Sequence, residues 1–363
     1  MRLRNLLILF FVLAMVAAAC GDSADTTTAA TDAPTATEPD PKADWPDKIV
    51  FGFIPSERQE SLQTDIQPIM DALEATIGIE VEGIVTADYN GLVVALGTGQ
   101  VDFGAFGPLG FVQAQEQYPG VELLLQSVRF GSATYHGQWY TNDPTICEDE
   151  PRVGAFENIE GVPTIVDPAD ASAQQVGWDD EGDVTNAIPQ TLEDGTVIEK
   201  GLVCTASLES ARGRDVAFGS STSTSASVFP QLMLKALGFD IETDINYAYL
   251  GGHSDAVLSV YTGDFDIGAS FDDARRGLAS GDSLPDVGTK VITFGITGEI
   301  PNDVVAVLSE LPDNLKDAVF DAIELYLETQ EGKDQFDLVY GWTAIQKADD
   351  SAFDFVRSVA EGL

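Results

Sequence analysis

Between residues 49 and 308 the chain alternates short apolar runs of strand type with apolar residues at helical spacing, an order that few architectures accept. Residues 49–54 form such a run, ending at Pro55-Ser56. Ile66, Met70, Leu73 and Ile77 follow at helical intervals, with Thr64 or Asp65 near the start. Residues 81–85 read as a second strand, Leu92, Val93 and Leu96 as a helix, and 101–106 as a third strand closed by Gly107-Pro108. A helix over 111–117 leads to a strand over 121–128. The repetition predicts a mostly parallel sheet covered on both faces. A second series has strands at 215–218, 245–250 and 266–271, with helices over 229–237 and from 257 onward. Apolar runs at 291–294 and 304–308 precede two closing helices, 314–329 and 351–361. Two α/β units with polar loops at their strand ends predict two lobes around a cleft, the place where α/β folds bind ligands.

The stretch 216–230 carries the sharpest chemical signal. A β-rich run ends in Ser220-Ser221-Thr222-Ser223-Thr224-Ser225, and an amphipathic segment with Pro230 in its first turn follows at once. Free N–H groups and the helix dipole make such a terminus an anion site; the same serines would equally serve as plain helix caps.

The first twenty residues read as an address. Arg2 and Arg4 give a positive start, residues 6–16 an apolar core, and Ala17-Ala18-Ala19-Cys20 a small-residue cleavage site. The apolar core is short of the about 20 residues a membrane span needs. The ending resembles a bacterial lipobox with alanine at its −3 position, which implies lipidation of Cys20 and a membrane tether; an ordinary secretory signal with a stray cysteine is the alternative. Residues 21–47, rich in Thr, Ala, Asp and Pro, are expected to be a disordered tether, with folding starting near Lys48. With Cys20 assigned to lipid, Cys147 and Cys204 remain as an even pair in an oxidising compartment and are expected to be joined, two free thiols being the other reading.

Eighteen basic residues stand against sixty acidic ones, a net charge of −42. Nucleic acid is excluded as a partner, because phosphate neutralisation needs clustered Lys and Arg. An anionic lipid surface is excluded as a docking target for the same reason. A small anion would have to be held by local donors, against the long-range field and with salt screening it over about 10 Å or less.

Seven blocks of the chain resemble, in order, the phosphonate- and phosphite-binding proteins of ABC importers. They are Phe51-Gly52-Phe53-Ile54-Pro55-Ser56-Glu57, Thr86-Ala87-Asp88-Tyr89, residues 101–107, Ser223-Thr224-Ser225, Gly251-Gly252-His253, residues 263–269 and Ile300-Pro301-Asn302-Asp303. The resemblance covers about residues 48–360 and implies a type II periplasmic-binding-protein fold. Lobe 1 would comprise 48–135 with 305–363 returning to it, and lobe 2 would comprise 136–304. Position by position it implies that Ser223, Thr224 and Ser225 hold the oxyanion, and that Tyr89, Tyr135 and His253 join them, His253 by one charge-assisted bond. It further implies that Asp273 and Asp303 face the ligand, where a carboxylate accepts from P–OH or pairs with an ammonium. Aspartate at 273, shorter than the glutamate of aminoethylphosphonate binders, argues against that particular ligand. The chain departs from the family between Cys147 and Cys204, a long acidic stretch including Trp178-Asp179-Asp180-Glu181 that would be a disulfide-closed excursion or a docking feature.

The expected function is therefore capture of a phosphonate, phosphite or phosphate by a monomeric extracytoplasmic lipoprotein, lipid-anchored at Cys20, that delivers to an ABC permease; presentation to a sensor is the alternative. Gly252-His253-Ser254-Asp255-Ala256 superficially resembles a nucleophile elbow, which would make Ser254 a hydrolase serine, but His136 is the only other histidine to support it. Two histidines and a paired set of cysteines leave zinc without ligands, and no calcium loop motif is present, so neither metal nor cofactor is expected.

Overall fold

The computed structural model describes residues 41–56, 59–129, 131–167, 195–280 and 284–360. Cys20, most of the tether and the Trp178–Glu181 stretch of the insertion lie outside the described residues. Among those described, no helix is long and apolar enough to cross a membrane.

Two sheets organise the folded part. The first has the order Ala344–Gln346, Val121–Val128, Val304–Leu308, Phe103–Phe106, Lys48–Phe53, Glu80–Val85. Helices Gln67–Ile77, Asp313–Leu327 and Gln330–Tyr340 cover one face, around Ile69, Leu73, Val319 and Trp342. Helices Tyr89–Gly97, Pro108–Gln117 and Asp354–Ala360 cover the other, around Leu92, Phe111 and Phe353. The second sheet has the order Asn246–Tyr249, Asp215–Phe218, Ile267–Phe271, Gly137–Thr141, Ile292–Ile296, Leu202–Val203, Arg152–Val153.

Both sheets are mixed, where the alternation predicted mostly parallel ones. Lys48–Phe53 pairs parallel with both its neighbours, but Val304–Leu308 pairs antiparallel with both of its own. In the second sheet Gly137–Thr141 is likewise antiparallel to both neighbours. The reason is the route of the chain. A strand feeding a helix ends at the cleft, whereas Gly137–Thr141 and Val304–Leu308 arrive from the other lobe and begin there. Their crossings are the short ribbon in which Thr134–Tyr135 pairs with Ile300–Pro301. Asn302 fixes it, its N–H donating to Ala133 O at 2.8 Å and its Nδ2 to Ser132 O at 2.7 Å.

Three further departures are local. The helix Gln330–Tyr340 escapes a reading by apolar period because few of its residues are buried, mainly Phe336 and Val339. Order begins before Lys48: Trp45 packs against the first core, Trp45 Nε1 donates to Asn314 Oδ1 at 2.9 Å, and Asn314 Nδ2 donates to Pro41 O at 2.6 Å. Cys147 and Cys204 are joined, as the cysteine count predicted. What they enclose is more than an excursion. Arg152–Val153 and Leu202–Val203 extend the second sheet by two strands. A hairpin, Ala155–Ile159 with Val162–Val166, follows, turning at Glu160-Gly161 with φ of 52° and 85°; such two-residue hairpins need positive φ at both positions.

Candidate functional site

Four helices begin at residues singled out above or beside them. Tyr89 opens Tyr89–Gly97, capped by the Asp88 carboxylate accepting from Gly91 N–H at 2.7 Å. Pro108 opens Pro108–Gln117, and His253 opens His253–Thr262 behind Gly252. Thr224 opens a π-helical turn, Thr224–Val228, that runs into Phe229–Ala236, so the helical path starts five residues earlier than the apolar period predicted. Ser223 caps this turn, its Oγ accepting from Ala226 N–H at 3.3 Å. Helix starts carry unpaired N–H groups and partial positive charge, so the local field of this region opposes the acidic surface.

Backbone and side chains cross between the lobes here. Leu109 N–H donates to Thr224 Oγ1 at 3.1 Å, which leaves the Thr224 hydroxyl proton free to donate elsewhere. His253 N–H donates to Ser56 O at 2.9 Å. Further out, Arg276 pairs with Asp337 at 3.7 Å and Phe229 meets Phe355 edge to face at 5.6 Å.

Around these bridges lie Tyr135, Arg129, Asp303, Tyr340 and Trp342. The Arg129 guanidinium lies 5.1 Å over the Tyr135 ring and ion-pairs with Asp303 Oδ2. Trp342 Nε1 donates to the same oxygen at 3.4 Å. Burial pushes the Asp303 carboxyl up, with Arg129 pulling the other way. Burial also raises Tyr135 and Tyr340, whose hydroxyls both feel Asp303, and Tyr89 adds to the field at Tyr340. Both phenols therefore stay protonated donors. Three buried polar atoms in this cluster have no hydrogen-bond partner of good geometry among the described residues: Ser225 Oγ, Ser56 Oγ, which lies beside the Tyr340 hydroxyl, and Arg129 Nε. Ser225 is 1% exposed and sits beside the Tyr135 hydroxyl without reaching good hydrogen-bond geometry. Buried donors left without partners are rare in folded proteins, and a ligand oxygen is the chemistry that satisfies them.

Two expectations need correction. His253 was expected to be a charged donor. Burial, followed by the nearby Arg129 charge, holds it down to about 3, so it is neutral in the folded protein. Its Nδ1 is paired with Ser270 Oγ at 2.9 Å. Asp273 was expected to face the ligand, but its carboxylate is taken up by Arg275. Both its oxygens accept from Arg275, whose other donors reach Leu202 O at 2.9 Å and Val291 O at 2.7 Å. Its neighbour Asp272 accepts from Gln138 Nε2, and its carboxyl is pushed well up by burial and by Asp273. The structure thus brings together Tyr89, Tyr135, Ser223, Thr224, Ser225, His253 and Asp303, and leaves Asp273 engaged by Arg275. Arg129, Ser56, Tyr340 and Trp342 join them without having been anticipated. As for the elbow-like segment, Ser254 Oγ faces Gly277, and His136 Nδ1 is paired with Thr297 O at 3.0 Å. Surface depressions of about 440 and 660 Å³ on the outer side of Gln67–Ile77 share no residue with the cluster.

Two α/β lobes linked by crossing strands, with inward helix starts and unpaired buried donors between them, define a type II periplasmic-binding-protein fold. Residues 51–353 match the family described as ABC transporter, phosphonate, periplasmic substrate-binding protein. The chain belongs to that family. It is 24% identical over 238 residues to a phosphate-import protein PhnD of Mycolicibacterium smegmatis, over 63% of this chain and 56% of that protein, so the match spans just over half the relative's length. Among solved structures it resembles PhnD1 of Prochlorococcus marinus in complex with methylphosphonate, with TM-score 0.64, 17% identity, and 87% of this chain and 98% of that chain covered. A binding-protein component of an ABC phosphonate transporter from Pseudomonas aeruginosa aligns with TM-score 0.62 and 17% identity, over 86% and 85% of the two chains.

Proposed function

We propose that this protein captures a small phospho-oxyanion, a phosphonate, phosphite or phosphate, between its lobes and delivers it to an ABC importer, working by capture and release rather than by catalysis. The observation that carries the reading is the set of buried polar atoms left without partners, one of which, Ser225 Oγ, belongs to the Thr224–Val228 turn itself. Neutral hydroxyls, the phenol of Tyr135 and one guanidinium suit a tetrahedral oxyanion, which offers several acceptor oxygens at once. The ligand oxygens are held by Ser223, Thr224 and Ser225, with Tyr89, Tyr135, neutral His253 and Asp303 around them. The chain is tethered outside the membrane by lipid on Cys20, which the small-residue cleavage site supports.

Calorimetry of the mature protein against phosphate, phosphite and methylphosphonate tests the reading. At least one of them binds, and Thr224→Ala weakens that binding by about 1–3 kcal/mol through loss of a donor to a buried oxygen. No heat from any of the three, or undiminished affinity in the variant, overturns it. Radiolabelled palmitate incorporated by the parent and lost in Cys20→Ser checks the anchor.

A further inference from the structure

We propose that Arg129 makes this cleft selective for oxyanions that carry no ammonium group, with phosphate, phosphite and methylphosphonate as the accepted class and 2-aminoethylphosphonate disfavoured. The inference rests on the function proposed above and narrows its ligand.

An ammonium needs a free carboxylate, and the acid of the Tyr135 cluster, Asp303, is already paired with a guanidinium. Asp303 Oδ2 receives both the Arg129 guanidinium and Trp342 Nε1. Asp273 gives both oxygens to Arg275, a residue 1% exposed whose Nη1 also donates to Leu202 O and Val291 O. Asp272 Oδ1 accepts from Gln138 Nε2, its Oδ2 has no hydrogen-bond partner among the described residues, and burial followed by Asp273 pushes its carboxyl well up. The groups bearing on it are Asp273, Arg275, Arg276 and Glu157, none of them part of the Tyr135 cluster. Among the described residues of that cluster, the charged groups are thus Arg129 and its partner Asp303, His253 being neutral.

Arg129 itself retains an unpartnered donor. Its Nε is buried without a hydrogen bond, while its guanidinium lies over Tyr135 and its charge reaches His253 across the cleft. An anion gains from that charge and that donor. An ammonium placed there meets a like charge in a poorly solvated setting, and such a contact discriminates strongly. The backbone holds the pair in place from both sides: Ser127 N–H donates to Asp303 O at 2.8 Å, and Arg129 and Ser132 exchange backbone bonds of 2.9 Å.

Competition calorimetry decides the matter. The parent protein is expected to bind methylphosphonate at least about thirtyfold more tightly than 2-aminoethylphosphonate. Arg129→Gln shrinks that ratio at least about tenfold, while Arg129→Lys, which keeps the charge without the fork, preserves most of it. A parent ratio near one, or an unchanged ratio in folded Arg129→Gln, overturns the inference while the function above stands. If no phospho-oxyanion binds at all, both fall together. The parent ratio needs no variant, so a failure of Arg129→Gln to fold does not shield the proposal.

Discussion

The molecule contains two buried aspartate–arginine pairs that look alike in composition and differ in what surrounds them. Asp273–Arg275 is closed: the side chains are 4% and 1% exposed, and the guanidinium also donates to two backbone carbonyls. Asp303–Arg129 is open: the side chains are 12% and 16% exposed, the partners lie 174 residues apart, and Arg129 Nε has nothing to donate to. A saturated pair can only hold the fold, because each oxygen and proton already has a use. An unsaturated pair at a cleft has capacity left for a ligand. Leftover hydrogen-bonding capacity, rather than charge or burial alone, distinguishes the two pairs here.

The contrast breaks most visibly at the closed pair. Arg275→Gln leaves a buried carboxylate without its counterion and is expected to cost about 3–5 kcal/mol of stability in denaturant unfolding, with ligand affinity of the folded protein little changed. A loss of that size from Arg129→Gln instead would erase the distinction. At the open pair, Asp303→Asn removes the negative neighbour of the cleft. Sulfate carries no proton at neutral pH and is repelled by that carboxylate, so its affinity relative to phosphate should rise about tenfold in the variant; an unchanged ratio would show that Asp303 does not face the ligand.

The smallest expected effect concerns pH. His253 is held down to about 3 from an ordinary 6.5, first by burial and then by Arg129. Between those values the unfolded chain binds a proton that the folded protein refuses. Its contribution to stability is therefore full above about pH 6.5 and lost progressively as pH falls toward 3. Thermal melts from pH 7 to pH 4 should show a shallower decline in Arg129→Gln than in the parent, and the parent's slope in Arg275→Gln. Equal slopes in the two variants would detach His253 from the open pair.

Legibility in the sequence followed the range of the interactions. The alternation of elements and the hydroxyl cluster at 223–225 are local patterns; strands and helices alternate as the first indicated, and the helical path begins within the second. Strand direction is not local, since apolar period carries no sense of direction, and the mixed sheets came from the two lobe crossings. Tyr89, Tyr135, His253, Asp273 and Asp303 were named through family resemblance, which gives position but not partner. Arg129 follows a strand without any motif, and its partner is contributed by a distant segment. Asp273 is the counter-case, because Asp272-Asp273-Ala274-Arg275-Arg276 carries its counterion two residues on, a local pattern.

The bridge from His253 N–H to Ser56 O joins main chain to main chain. No side-chain replacement other than proline at 253 removes the donor, and none removes the acceptor. This link between the lobes is therefore insensitive to which side chains surround it. Apparent affinity scales with the fraction of molecules in the competent state, so a clasp indifferent to side chains preserves that fraction while the cleft diversifies. Side chains around it can change while the bond that joins the two lobes stays in place.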